Sequence, residues 1–162
     1  FIAHVRASTV GETMRQNCHP FSYGRWSFCH NGQVPHFASI ERRLEADLPD
    51  HLYAAGGGST DSELLFLTLL ANGLDDDPAR AMATTLDKIG TGPDPVKITC
   101  VFTDGQTLCG YRYASRGTAP TLYASGVLDN GGKAFASEPL DGGAWDAVPV
   151  NQIHILSSLQ TA

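Results

Sequence analysis

At 162 residues the chain has room for one domain with a real core, and not for a catalytic domain beside a second large one. A net charge of −6 with no basic run argues against nucleic acid as the partner, since phosphate binding wants clustered Lys and Arg. With 42% hydrophobic and 17% charged residues the composition is that of a soluble globular protein, and no apolar run approaches the ~20 residues of a membrane span.

Residues 1–6 alternate from the start and predict a strand. The chain opens on Phe1 inside that pattern, without a basic leader, so processing or absent upstream residues are expected. A loop of small polar residues, 7–12, follows. In Cys18-His19-Pro20-Phe21, Pro20 biases His19 toward an extended backbone. A second strand runs from Trp26 to His30, with Trp26, Phe28 and His30 on one face and Ser27 and Cys29 on the other. Asn31-Gly32 reads as a turn ending it, because both residues tolerate positive φ.

Phe37, Ile40, Leu44 and Leu48 mark one helix face, which stops near Pro49-Asp50. Gly56-Gly57-Gly58 leads into Ser59-Thr60-Asp61-Ser62-Glu63, where Thr60 and Glu63 have capping-box spacing. The helix over 64–72 is apolar on nearly every side and should be buried, with Gly73 as its stop. Asp77 and Pro78 predict the N-cap and N1 of a third helix, lined by Met82, Leu86 and Ile89 and ended by Gly90. Strands are predicted over 96–103, 106–113, 121–125, 133–137 and 152–159. Strands, helices, then strands give an α+β fold with helices packed on antiparallel sheet.

The four cysteines, Cys18, Cys29, Cys100 and Cys109, contain no C-x-x-C pair, so no zinc site is expected. If Asp104-Gly105 is a two-residue hairpin loop, Cys100 faces Cys109. They would be a disulfide in an oxidising compartment, or, as preferred here, two small reduced core residues. His4, His19 and His30 have no ligand spacing, so no metal is expected. Asp75-Asp76-Asp77 reads as a solvated capping run. Gly56-Gly57-Gly58 is no phosphate loop, since no Gly-Lys-Ser/Thr follows.

Three polar clusters stand where a bare fold would not demand them: His4-x-Arg6-x-x-Thr9-x-Gly11, His30-Asn31-Gly32 and Ser59-Thr60-Asp61-Ser62-Glu63. Arg6 is either a surface residue after a strand or a bidentate carboxylate clamp. Asp61 is either a helix cap or a partner for a cation, and Thr60 can take the cap. As an ordered set these clusters resemble the glutamine-binding half of class II glutamine amidotransferases, nearest the small stand-alone members of the ergothioneine-pathway type. The resemblance includes Cys18-His19-Pro20-Phe21 and Gly24-Arg25-Trp26. It continues weakly through Thr103-Asp104-Gly105 and Ala136-Ser137-Glu138-Pro139-Leu140-Asp141.

The resemblance implies a four-layer αββα N-terminal-nucleophile sandwich, N-terminally incomplete, of which residues 1–162 form one domain. It implies that Arg6 grips the α-carboxylate of glutamine with help from Thr9, and that Asp61 pairs with the α-ammonium. Asn31, through its side-chain amide, and Gly32, through its N–H, would form the oxyanion hole. His30 would be structural, and Glu138 and Asp141 would at most shape the pocket. The family's nucleophile is an N-terminal Cys whose own α-amine is the base. Residue 1 here is Phe, and neither Cys18 nor Cys29 carries a free α-amine. The nucleophile is therefore expected outside this sequence, the chain being the C-terminal portion of a longer protein. A split enzyme and a degenerate binding domain are the competing accounts. Ala7 and Val10 stand where larger members often carry Trp and His, which leaves acceptor specificity open.

The activity implied is hydrolysis of a γ-glutamyl amide through a Cys thioester, with a γ-glutamyl conjugate hydrolase as the alternative. A non-catalytic γ-glutamyl or amino-acid-binding domain is the rival from another class. Expected partners are glutamine or a γ-glutamyl small molecule and the missing N-terminal segment, with a homo-oligomer left open. Neither nucleic acid, membrane nor cofactor is expected, and the compartment is cytoplasmic.

Overall fold

The computed structural model describes residues 1–5 and 15–157. Two predicted site residues, Arg6 and Thr9, lie outside the described residues, as does the loop over 7–12.

A 3-10 turn, Arg15–Asn17, precedes the first hairpin, formed by β1 (Phe21–Tyr23) and β2 (Trp26–Gln33). Tyr23 pairs with Trp26, so Gly24 and Arg25 make the turn, and Gly24 supplies the positive φ of 57° that it requires. Four helices follow: α1 (Phe37–Ala46), α2 (Asp50–Tyr53), α3 (Asp61–Ala71) and α4 (Pro78–Ile89). The chain then returns to strand in β3 (Lys97–Thr103), β4 (Thr107–Ala114), β5 (Tyr123–Ser125), β6 (Phe135–Ala136), β7 (Trp145–Ala147) and β8 (His154–Ser157).

The strands form two antiparallel sheets, a five-stranded one ordered β1-β2-β3-β4-β8 and a three-stranded one ordered β6-β5-β7. The helices pack on one face of the larger sheet. There Phe28, Ile98, Phe102, Cys100 and Tyr111 meet Leu65, Phe66, Leu69, Met82 and Leu44. Phe28 lies flat on Phe66, with ring centroids 5.3 Å apart and planes 9° from parallel. Such a pair adds ~0.5–1.5 kcal/mol beyond the area it buries. Helix α3 is buried almost all round, as its apolar sequence requires. The other face of the larger sheet meets the small sheet through Val101, Leu108, Leu122, Ala124, Phe135, Val148 and Leu156. Among the described residues this makes three layers, helix on sheet on sheet. The fourth layer implied by the resemblance is not among them.

Three local readings are corrected. Phe1–Val5 pair with no strand among the described residues, although Ile2 and His4 are half-buried and their neighbours exposed, so the alternation survives as packing without a ladder. The β3–β4 loop is longer than two residues: Thr103 faces Leu108, so Cys100 faces Tyr111 and Cys109 faces Phe102. Asp104 Oδ1 explains this, because it accepts from both Gln106 N–H at 3.0 Å and Thr107 N–H at 2.8 Å, while Gly105 takes φ 90°. These two bonds also hold the Asp104 carboxyl below its ordinary range. Cys100 and Cys109 are buried and unbridged, and burial raises both thiols, Cys109 to about 11. Finally, Asn31-Gly32 is no turn. Both residues lie inside β2, opposite Thr99 and Ile98.

Candidate functional site

The glycine of Asn31-Gly32 is present for space and not for a left-handed turn, since it is absent from the positive-φ glycines. A Cβ at Gly32 would run into the Lys97 carbonyl and stand 2.6 Å from His30 Nε2. The sequence pattern of a turn and that of a close backbone approach are the same two letters here.

The backbone phase of β2 follows from the ladder. Ser115 N–H donates to Val96 O at 3.0 Å, one step beyond the Lys97–Ala114 pair. Bonded and non-bonded pairs alternate in an antiparallel ladder, so Ile98 and Cys100 turn their backbone groups toward β4, and Lys97, Thr99 and Val101 toward β2. Their β2 partners are Gln33, Asn31 and Cys29. Phe28, His30 and Gly32 therefore turn their N–H and C=O groups to the opposite edge. There β1 reaches only as far as Phe28, and no strand pairs with the edge beyond it among the described residues. The Gly32 amide faces this edge, and the Asn31 and Gly32 side of the strand is exposed where Phe28 and His30 are buried.

Asp61 comes to the same edge from the helix layer. It is N1 of α3, and Thr60 is the N-cap, its Oγ1 accepting from Glu63 N–H at 3.2 Å. The cap is thus filled without Asp61. Asp61 Oδ2 instead accepts from Val34 N–H at 3.0 Å. Val34 follows Gly32 by two residues, in the same phase of the alternation, so the two amides are roughly 7 Å apart at ~3.3 Å per residue. The capping box closes differently from its usual form. Glu63 reaches Gly57 N–H at 3.1 Å and Gly58 N–H at 2.7 Å instead of the Thr60 amide, tying the glycine loop to the helix start. Asn17 Oδ1 holds Ser59 N–H at 3.1 Å from the other side.

Behind the carboxylate is a link that sequence reasoning missed. Ser62 Oγ donates to Asp61 Oδ1 at 3.2 Å, and His30 Nδ1 is 2.9 Å from the same Oγ. His30 and Ser62 are 3% and 7% exposed. Burial lowers the His30 pKa; the Asp61 charge and the Lys97 backbone act against it, and His4 adds to it. The signal was in the sequence, since His30 shares the inward face with Phe28 and needs a polar partner there. Which partner depended on the approach of α3. His4 and His19 pack ring to ring at 4.3 Å nearby, and His19 meets Phe21 edge-on. No group of three His, Cys, Asp or Glu among the described residues could hold a metal.

The Gly32 amide and Asp61 thus meet on one strand edge, Asn31 turns its backbone toward β3 with its side chain exposed, and Glu138 and Asp141 are elsewhere, bonded to Thr121 and to Trp145 and Gly143. The family model of class II glutamine amidotransferases matches residues 1–117, and the chain belongs to that family. It is 32% identical to the probable glutamine amidotransferase DUG3 of Saccharomyces cerevisiae, over 93% of this chain and 55% of that protein. It is 36% identical to the amidophosphoribosyltransferase of Methanocaldococcus jannaschii over 54% of this chain and 19% of that one. The chain spans about half the length of the yeast relative. Among solved structures, a glutamine aminotransferase class-II domain protein from Silicibacter pomeroyi superposes with TM-score 0.75 at 35% identity, covering 86% of this chain and 71% of that one. A predicted glutamine amidotransferase from Pseudomonas aeruginosa shares the fold, with TM-score 0.60 at 18% identity over 89% of this chain and 64% of that one. No helix among the described residues is long and apolar enough to cross a membrane.

Proposed function

We propose that this chain supplies the substrate-binding and oxyanion-stabilising part of an enzyme that hydrolyses a γ-glutamyl amide. The observation that carries this reading is the shared edge: the Gly32 amide and the Asp61 carboxylate face the same side of β2, which pairs with no strand beyond Phe28 among the described residues. In glutamine the α-ammonium and the γ-carbonyl are separated by Cα, Cβ and Cγ, a reach that matches two amides roughly 7 Å apart along a strand. Asp61 takes the α-ammonium, and Arg6 with Thr9 takes the α-carboxylate. The Asn31 side-chain amide and the Gly32 N–H receive the oxyanion.

The nucleophile is a Cys thiolate from outside this sequence. Its sulfur attacks the γ-carbonyl carbon, and the oxygen becomes the oxyanion held by Asn31 and Gly32. Collapse expels the nitrogen, which takes the proton that the Cys α-amine removed from the thiol and leaves as ammonia or as the amine of a γ-glutamyl conjugate. Water then cleaves the thioester, giving glutamate and free thiol. The whole of residues 1–162 belongs to one domain of a four-layer αββα sandwich, working in the cytoplasm on a small molecule.

Intact mass and N-terminal sequencing of the natural protein, combined with an assay for glutamate and ammonia release from L-glutamine and γ-glutamyl amides, test the proposal. An N-terminal Cys whose change to Ser abolishes release is the expected result. Absence of such a Cys, or release that survives its loss, overturns it. Asp61→Ala should weaken binding of γ-glutamyl ligands with the fold intact; unchanged affinity would reduce Asp61 to a helix-end residue.

A further inference from the structure

We propose that Ser62 and His30 are positioning residues that aim the Asp61 carboxylate at the substrate α-ammonium and so set selectivity for ligands that carry one. The inference rests on the role proposed above for Asp61 and extends it to two residues that touch no substrate.

The argument is one of proton accounting. Ionised Asp61 only accepts hydrogen bonds. The Ser62 hydroxyl has a single proton, which goes to Asp61 Oδ1 at 3.2 Å. His30 Nδ1 is 2.9 Å from Ser62 Oγ, and of the two neutral tautomers of the ring the one with its proton on Nδ1 leaves the Ser62 proton to Asp61. In that tautomer the chain runs from His30 Nδ1–H to Ser62 and from Ser62 O–H to Asp61 Oδ1, and the inference takes this direction. Val34 N–H holds the other oxygen at 3.0 Å. Each carboxylate oxygen is pinned by one donor from the protein side and keeps acceptor capacity for a ligand cation. Asp61 itself is half-buried, so the carboxylate remains reachable.

Nothing about the helix requires this arrangement. The N-cap is Thr60, and Ser62 is a buried polar residue inside a helix whose other buried positions are mostly Leu and Phe. Buried polar groups are kept where they are hydrogen-bonded, and the bond Ser62 makes runs toward the site. His30 likewise occupies a core position on the face of Phe28, with its ring stacked 6.4 Å from that of Phe28. Packing fixes the ring, the ring fixes the hydroxyl, and the hydroxyl fixes the carboxylate.

The test compares L-glutamate with glutarate, which lacks the α-ammonium and, like glutamate, is not consumed. Their affinities for the full-length protein are measured by calorimetry, and selectivity is the ratio of the two dissociation constants. Asp61→Asn should abolish selectivity. Ser62→Ala should lower it about tenfold, the size of one charge-assisted hydrogen bond, with glutarate affinity unchanged. His30→Asn, whose amide can donate from nearly the position of Nδ1, should retain selectivity, and His30→Leu should lose it as Ser62→Ala does. If Asp61→Asn retains selectivity, the role proposed for Asp61 is wrong. If Asp61→Asn loses it while Ser62→Ala keeps it, only the positioning inference is overturned. An equal weakening of both ligands in Ser62→Ala also overturns it, since general loosening is blind to the α-ammonium.

Discussion

The two ends of β2 obey different rules. From Trp26 to His30 the inward residues meet the helix layer and are almost wholly enclosed. From Asn31 to Gln33 the strand continues in perfect register with β3, yet its side chains are exposed and its other edge pairs with no strand among the described residues. One strand thus joins a rigid anchor to an open, donor-rich end. A site built on the end of a well-packed strand holds its donors still without burying them. Rigidity in the first half is the condition for precision in the second.

Substitutions can separate the two halves. Phe28→Ala strikes the anchor: it removes a fully buried ring stacked on Phe66 and should cost about 3–5 kcal/mol in denaturant unfolding. A loss below 1 kcal/mol would mean that the anchor is not where the stability lies. Asn31→Ala strikes the open end. Its side chain is exposed, so stability should barely change, whereas kcat of the full-length protein should fall by about 10²–10³, or ~2.7–4 kcal/mol. Unchanged turnover would leave Asn31 an ordinary strand residue. Gly32→Ala lies between the two kinds. Its Cβ would press on the Lys97 carbonyl and on His30, so the backbone must shift. It should cost about 1–3 kcal/mol of stability and also turnover, because the shift moves the Gly32 amide.

How much of this was legible beforehand depends on the kind of determinant. The helices were readable because their ends carry local chemistry. Asp77 caps Ala79 and Arg80, Pro78 sits at N1, and Gly90 ends α4 with φ 73°. Strand positions followed from alternation, but the short hairpin β1 and the three-residue β7 have too few residues for a period to show. Register was legible only as far as the turn. Asp104-Gly105 suggested a two-residue loop, and the Asp104 carboxylate instead gathers two amides and lengthens it. Asn31-Gly32 was misread for a related reason: glycine serves both positive φ and close approach, and the obstacle that distinguishes them, Lys97, is 65 residues away in the sequence. Asp61 was singled out correctly as a residue released from capping, because Thr60 next to it could do that work. The Ser62–His30 link was not legible, since it needs α3 and β2 to be in contact before the two residues can be paired.

That release of Asp61 yields the smallest and most discriminating effect. Thr60 and Asp61 are adjacent, yet one serves the helix and the other the edge of β2. Thr60→Ala removes the acceptor for Glu63 N–H and should cost about 1 kcal/mol in a urea melt, with Thr60→Ser restoring most of it. The Asp61 carboxylate is held independently, by Val34 N–H and by Ser62. Affinity for L-glutamate should therefore stay within about twofold of the wild type, as expected for a cap that shares no partner with the ligand-facing group. If affinity falls together with stability, Asp61 has rotated to fill the empty cap. The division of labour between the two neighbours would then be conditional on Thr60, and the open end of β2 would depend on the helix start as much as on its buried anchor.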